Sequence, residues 1–276
     1  MNAFHSRRFR SRPFSEKPVR TLTVLLIILL AAGGATFARQ TRIGIHGGLG
    51  IPSIEGGTNE VSRGYTSRWG PYFGLFADYE VRPHLSLRGE LNYSSQGGKR
   101  NGMQPIPGDK LTELAQQGIP PELLPETLYA DFDNEAILDY LEIPLMAGLT
   151  WGRTMRLRID AGPYIGFLVR AKTVTSGSSF FYTDRSGTRF TPGGMPIDKQ
   201  SFESDTPIKQ DINSTNAGIA GAIGLETPFG PGDIVVDAHF SYGLTNIQKD
   251  TKLNGENNTG SLAFTIGYSY PLHGGR

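Results

Sequence analysis

Six charged residues have the types and spacing for chemistry. Arg88, Glu90, Glu142, Arg158 and Asp160 bring two guanidinium groups and three carboxylates, and Asp237 adds a fourth acid. Guanidinium and carboxylate groups pair through directed, charge-assisted bonds. Neighbouring acids in unequal surroundings can also divide acid and base roles. The same set equally describes a structural ion network, and that reading is preferred here. A hydrolase would need a serine activated by a histidine. Beyond residue 38 the histidines are His46, His84, His239 and His273, and the best-spaced partner is Ser241, two residues after His239. There is no G-x-S-x-G nucleophile turn. "GGLGIPSIEGG" at 47–57 has glycines but neither a lysine nor a helical pattern after it, so it is not a phosphate loop. Asp131, Asp133 and Glu135 alternate like calcium ligands but lack the glycine and distal glutamate of a calcium hand, which favours a solvated acidic loop. The chain has no cysteine, which removes disulfides, thiolate catalysis and cysteine metal sites. We expect no catalytic, metal or cofactor-binding residue.

The elements that would hold these side chains alternate with a period of two. Eight segments do so: 41–57, 69–81, 85–93, 141–151, 157–169, 217–229, 234–244 and 262–272. In 234–244, Ile234, Val236, Ala238, Phe240, Tyr242 and Leu244 share one face, while Asp237 and His239 take the other. Across the eight segments the second face carries His46, Asp78, Glu80, Arg88, Glu90, Glu142, Arg158, Asp160, Glu226, Asp237 and His239. Such segments suit either a soluble sandwich or a membrane barrel with its apolar face outward.

Three features favour the membrane barrel. The segments are mostly of bilayer-crossing length, about 9–11 residues when tilted. The links alternate: Pro83-His84, Arg153-Thr154 and Gly230-Pro231 mark short turns, whereas 52–68, 94–140, 170–216 and 245–261 are long and polar. Short periplasmic turns and long outer loops follow this rhythm. Aromatic residues also gather at segment ends, with Trp69, Tyr93, Phe167 and Tyr242 at one rim and Tyr79, Trp151, Phe229, Tyr268 and Tyr270 at the other. Pro144 and Pro163 interrupt two segments, and a bulge at each would accommodate the missing donor. Residues 109–117 have the pattern of a short helix, and Phe180, Phe181, Tyr182 and Phe190 are expected to be exposed on a long loop, where they suit binding of a protein or glycan.

The first 38 residues read as a removed export signal. A basic stretch with six Lys/Arg and one acid precedes an apolar run at 22–30, then small residues and the cleavage-like Thr36-Phe37-Ala38. That segment carries +5 of a chain total of +1, which leaves residues 39–276 at −4. No basic patch remains to suggest nucleic acid.

Five stretches carry a family likeness: "YLEIPLMAGL" at 140–149, "DAGPYIGFL" at 160–168, "NAGIAGAIGLE" at 216–226, "FSYGLTNI" at 240–247 and "FTIGYSYPL" at 264–272. Together they resemble the PorT-like outer-membrane β-barrel domain over about residues 41–272. The resemblance implies an all-β, eight-stranded antiparallel transmembrane barrel in the outer membrane. It adds little biochemistry, since one member type is tied to a secretion and gliding apparatus and most have no assigned role. Thr265, Gly267, Tyr270 and Leu272 resemble the last-strand signal read by the barrel-assembly machinery, although His273-Gly274-Gly275-Arg276 follow in place of a terminal aromatic. The expected role is non-enzymatic: structural, or surface interaction through the long loops. The expected partners are outer-membrane lipid, the assembly machinery and a surface protein or glycan. A narrow solute conduit is the alternative, followed by a lipid-modifying enzyme.

Overall fold

The structure is a computed structural model that describes residues 41–106, 114–115 and 119–272. The export-signal reading of 1–38, most of the helix expected at 109–117 and His273 lie outside the described residues; Leu114 and Ala115, inside them, are helical.

Eight long strands form one closed antiparallel sheet. They are β1 Thr41–Gly56, β2 Gly70–Arg82, β3 Leu85–Arg100, β4 Asp133–Gly152, β5 Arg156–Ser176, β6 Thr215–Phe229, β7 Gly232–Gly243 and β8 Asn257–Pro271. Each strand pairs with its sequence neighbours, and β8 closes onto β1 with Arg42 opposite Pro271 and Ile54 opposite Thr259. Closure leaves no edge, so the backbone of every spanning strand can be paired within the sheet. No described helix is long and apolar enough to cross a membrane; the crossing is made by strands.

The alternating pattern sorts as its chemistry requires. Leu75, Leu145, Ile223, Val236, Phe264 and Ile266 are each more than half exposed and form a continuous outer belt. The charged residues between them turn inward, where Arg88, Glu90, Arg158, Asp160 and Asp237 are buried. Contiguous exposed apolar area on this scale is foreign to a water-facing surface and native to a lipid-facing one.

Glycine is what fits the ionic groups into a narrow lumen. A Cβ on Gly148 would lie 2.0 Å from Asp160 Oδ1, and one on Gly224 would lie 1.9 Å from Asp237 Oδ1. Both glycines sit directly opposite those acids in the ladder. Large and small residues thus alternate across the interior of a small barrel.

Two expectations need correction. Pairing registers run unshifted through Pro144 and Pro163; the bulges lie elsewhere, next to Val81 and Val169. The long links are also shorter than predicted, because β3 runs to Arg100 and β4 begins at Asp133. Past the bilayer the outer face meets water, so pairing continues without the apolar alternation that marks it.

The outer loops fold together. The second and third loops share an apolar core of Ile106, Leu114, Leu128, Phe132, Phe181, Phe190 and Phe202, with Phe132 and Phe202 stacked at 4.4 Å. Phe181 and Phe190 are therefore core residues and not exposed, since burying rings removes more apolar area from water than any other choice available in these loops. The first loop links to the rest. Glu60 accepts from the Tyr129 hydroxyl at 2.6 Å and lies 3.6 Å from Arg185. Asn59 Nδ2 donates to the carbonyl of Leu253 at 3.2 Å, within the one-turn helix Thr251–Asn254 of the fourth loop.

Candidate functional site: the ionic lumen

Two arginines anchor the inner half of the lumen. Arg88 on β3 pairs with Glu90, reaches Asp237 on β7 at 3.3 Å and lies 3.8 Å from Asp78 on β2. Arg158 on β5 meets Asp78 at 3.1 Å, Asp160 at 2.7 Å, Glu226 at 3.0 Å and Asp237 at 3.3 Å. Asp78 and Asp237 thus bridge the two guanidinium groups. Nearer the periplasmic mouth, Arg42 and Arg156 each approach Glu226 at 2.9 Å, and Arg156 also meets Asp233 at 2.9 Å. Phe76 stacks under Arg88, with the guanidinium carbon 3.9 Å from the ring centre.

Arg88, Glu90, Arg158, Asp160 and Asp237 come together in this network. Glu142 does not: it faces no arginine and accepts from Gln96 Nε2 at 2.9 Å, one layer further out. It sits on β4, which sends no arginine inward, so its partners are amides and hydroxyls from β3. Asp78, Glu226, Asp233, Arg42 and Arg156 belong to the network and were absent from the six predicted residues. The lumenal face of the alternating pattern already pointed to Asp78 and Glu226. Arg42, Arg156 and Asp233 lie at strand starts, where no periodicity identifies an inward position.

A second cluster lies at mid-depth. His46 on β1 and His239 on β7 are in edge contact, with ring centres 4.9 Å apart. His46 Nε2 is 2.9 Å from Asn92 Oδ1, and His239 Nε2 is 3.2 Å from Thr265 Oγ1. Asn92 Nδ2 donates to the Tyr72 hydroxyl and to Glu90 Oε2, both at 2.7 Å.

The last-strand residues divide between the two faces. Thr265 points inward to His239, while Tyr270 and Leu272 stand about half exposed on the outside. Gly267 passes close to β1, where a Cβ would lie 2.4 Å from the Ile45 carbonyl oxygen. The expected acidic loop triplet is split: Glu135 is engaged by Arg68 at 2.7 Å and by Lys99 at 3.7 Å.

At the periplasmic mouth a cavity of about 210 Å³ is lined by Arg42, Asp78, His84, Arg156, Arg158 and Glu226. Arg158 and Asp78, paired at 3.1 Å, are both part of its lining.

A closed eight-stranded sheet with an apolar exterior and an ionised interior is the arrangement of an outer-membrane barrel, and residues 32–249 match the outer membrane protein beta-barrel domain. The chain belongs to that family. It is an integral protein of the outer membrane. Among solved structures, the barrel is similar to Ail, the attachment invasion locus protein of Yersinia pestis, at 14% identity over 84% of this chain and 99% of that one, with a TM-score of 0.35. It is also similar to a major outer membrane protein from Thermus thermophilus at 11% identity, over 86% and 100% of the two chains, with a TM-score of 0.43. The protease OmpT from Escherichia coli is similar at 10% identity, over 86% and 98%, with a TM-score of 0.36. No curated protein matches the sequence.

Proposed function

We propose that the barrel is a non-enzymatic membrane anchor that carries a preformed extracellular cap, and that the cap binds a surface protein or glycan. The observation that carries this reading is the interlocking of the loops. Glu60, Tyr129 and Arg185 join the first three loops at one point, and Asn59 joins the first to the fourth. Ordering so much chain costs about 1–2 kcal/mol per residue in backbone entropy alone. A bare anchor needs only short connections, so an apolar core spent on the loops fits a surface held ready for a partner.

The non-enzymatic part of the reading is supported by where the best catalytic pair lies. His239 is buried in the lumen with Thr265 as its partner, away from the acyl chains that a lipid-modifying serine would have to reach. Lipid as a partner follows from the apolar exterior belt, and the assembly machinery is the partner assigned to the last strand through Thr265, Gly267, Tyr270 and Leu272. Narrower PorT-like kinship, carried by "YLEIPL" and "GPY.G", belongs to the same reading.

A narrow conduit is the second reading, favoured by the mouth cavity. It requires the buried Arg88–Asp237–Arg158 layer to open. Conductance in planar bilayers separates the two: the anchor gives no steady single-channel current, and the conduit does. The cap is tested on a glycan array and by surface pull-down with the full barrel and with a variant lacking residues 180–199. The shortened barrel is expected to fold, as judged by heat-modifiable migration, and to lose capture. Unchanged capture would contradict the cap as the binding element.

A further inference from the structure

We propose that His46, His239 and Asp237 form a zinc-type divalent cation site in the middle of the lumen, with Glu90 at its edge. One ring nitrogen from each histidine and a carboxylate oxygen of Asp237 all lie within 4.8 Å of one another, and all three residues are buried. Two imidazoles and a carboxylate are a common ligand set for zinc, which bonds nitrogen and carboxylate oxygen at about 2.0–2.2 Å. Modest side-chain movement closes the cluster to that distance.

The hydrogen bonds fix the chemistry of His46. Asn92 donates both amide hydrogens, to the Tyr72 hydroxyl and to Glu90 Oε2, so its Oδ1 is the atom that faces His46 Nε2. That oxygen can only accept, so Nε2 carries the proton and Nδ1 holds the lone pair. Nδ1 is buried and has no hydrogen-bond partner. A histidine whose one nitrogen donates to a fixed acceptor while the other is left bare has the form of a metal ligand with its supporting shell in place.

Charge gives an independent argument. Among the described residues, four guanidinium groups (Arg42, Arg88, Arg156, Arg158) face six carboxylates (Asp78, Glu90, Asp160, Glu226, Asp233, Asp237), and Glu142 adds a seventh one layer further out, a formal excess of three negative charges. Uncompensated charge in an enclosed interior is costly, and one divalent cation offsets two of these charges. Asp237 is also incompletely engaged. Its Oδ2 lies 3.3 Å from each arginine, longer than the roughly 2.7–2.9 Å of strong charge-assisted bonds. A small cavity of about 10 Å³, lined in part by Glu90 and His239, opens beside the cluster. That is about the space of a single water-sized occupant.

The test uses the untagged barrel folded in detergent, stripped with EDTA and dialysed against zinc chloride. One zinc per chain is expected to survive gel filtration. Zinc K-edge absorption is expected to show two imidazole ligands. His46→Gln and His239→Gln are each expected to weaken zinc binding at least tenfold, whereas His84→Gln at the periplasmic turn leaves it unchanged. Heat-modifiable migration reports folding of each variant. If a variant does not fold, the imidazole count on the unaltered barrel decides. Folded barrel that retains no zinc, a site without imidazole, or unchanged binding in a folded His46→Gln variant would each overturn the proposal.

Discussion

Arg88 Nη2 lies 3.3 Å from Asp237 Oδ2 across the lumen, although 149 positions separate the two residues in the chain. This contact joins β3 to β7, strands that share no ladder. It places the first of the two anchoring guanidinium groups where the barrel must already be closed, so the ionic layer depends on closure and in turn holds it.

Removing that anchor should be costly. Arg88→Met leaves Glu90 buried without its arginine and Asp237 with Arg158 alone. Breaking a buried ion pair from one side typically costs about 3–5 kcal/mol. The barrel's urea midpoint should fall accordingly, read by the shift from folded to unfolded migration. The double change of Arg88→Met with Asp237→Asn should recover part of the loss, because the uncompensated charge is then gone.

The packing of β1 against β8 predicts opposite outcomes at adjacent glycines. A Cβ on Gly48 would lie 1.9 Å from the Phe264 carbonyl oxygen, a backbone atom that cannot swing away. Gly47 faces outward, and its nearest neighbour to such an atom is Phe73 Cβ at an ordinary 3.6 Å. Gly48→Ala should therefore lower folding yield and stability, while Gly47→Ala stays within about 0.5 kcal/mol of the parent. Folding yields into detergent, measured side by side, check the contrast.

The cap should loosen before the barrel does. Phe181 is buried in the loop core, and Phe→Ala changes in cores cost about 3–5 kcal/mol. Phe181→Ala is expected to expose the second and third loops to protease while the membrane strands stay protected. Equal protease resistance in variant and parent would mean that the loops are not held by this core.

The clamp between loops should depend on pH. The Tyr129 hydroxyl holds the Glu60 carboxyl below its ordinary value of 4.5, with a smaller contribution from Arg185. The same bond raises Tyr129 above 10.0. A lowered acid contributes above its unfolded pKa and loses that contribution as pH falls through the folded one. A raised phenol contributes below its unfolded pKa and loses it as pH rises through the folded one. The clamp is thus complete between about pH 4.5 and 10 and weakens on either side. The hydrogen-exchange protection of the Tyr129–Tyr182 backbone bridge, taken relative to the intrinsic rate at each pH, should fall below pH 4.5, and Tyr129→Phe should remove that dependence.

Strand identity was legible wherever lipid lies on one side and the lumen on the other. In 234–244 every second residue is apolar because every second residue meets acyl chains. The signal fades where that contrast ends. Ser94 and Gln96 on β3 are buried and polar, and their strand continues to Arg100 in water, so nothing in the sequence separates it from a loop. Within the lumen, inward direction could be read but partnership could not. Asp160 has Arg158 two residues before it on its own strand, but the pairings Arg88–Asp237 and Arg158–Asp78 join strands that share no ladder, a matter of how the closed sheet faces itself across the lumen. The burial of Phe181 and Phe190 was hidden for a similar reason: their partners Ile106, Leu128 and Phe132 come from another loop.

Which way the two faces of the strands point is the claim on which the rest depends, and the absence of cysteine makes it directly measurable. Single changes Leu75→Cys, Ile223→Cys and Phe264→Cys, spin-labelled in lipid bilayers, report collision with oxygen and with a water-soluble nickel chelate. An outward apolar belt predicts high oxygen and low nickel accessibility at all three positions, with a label at Ala222→Cys immobilised and shielded from both. High nickel accessibility at Leu75, Ile223 and Phe264 would contradict it.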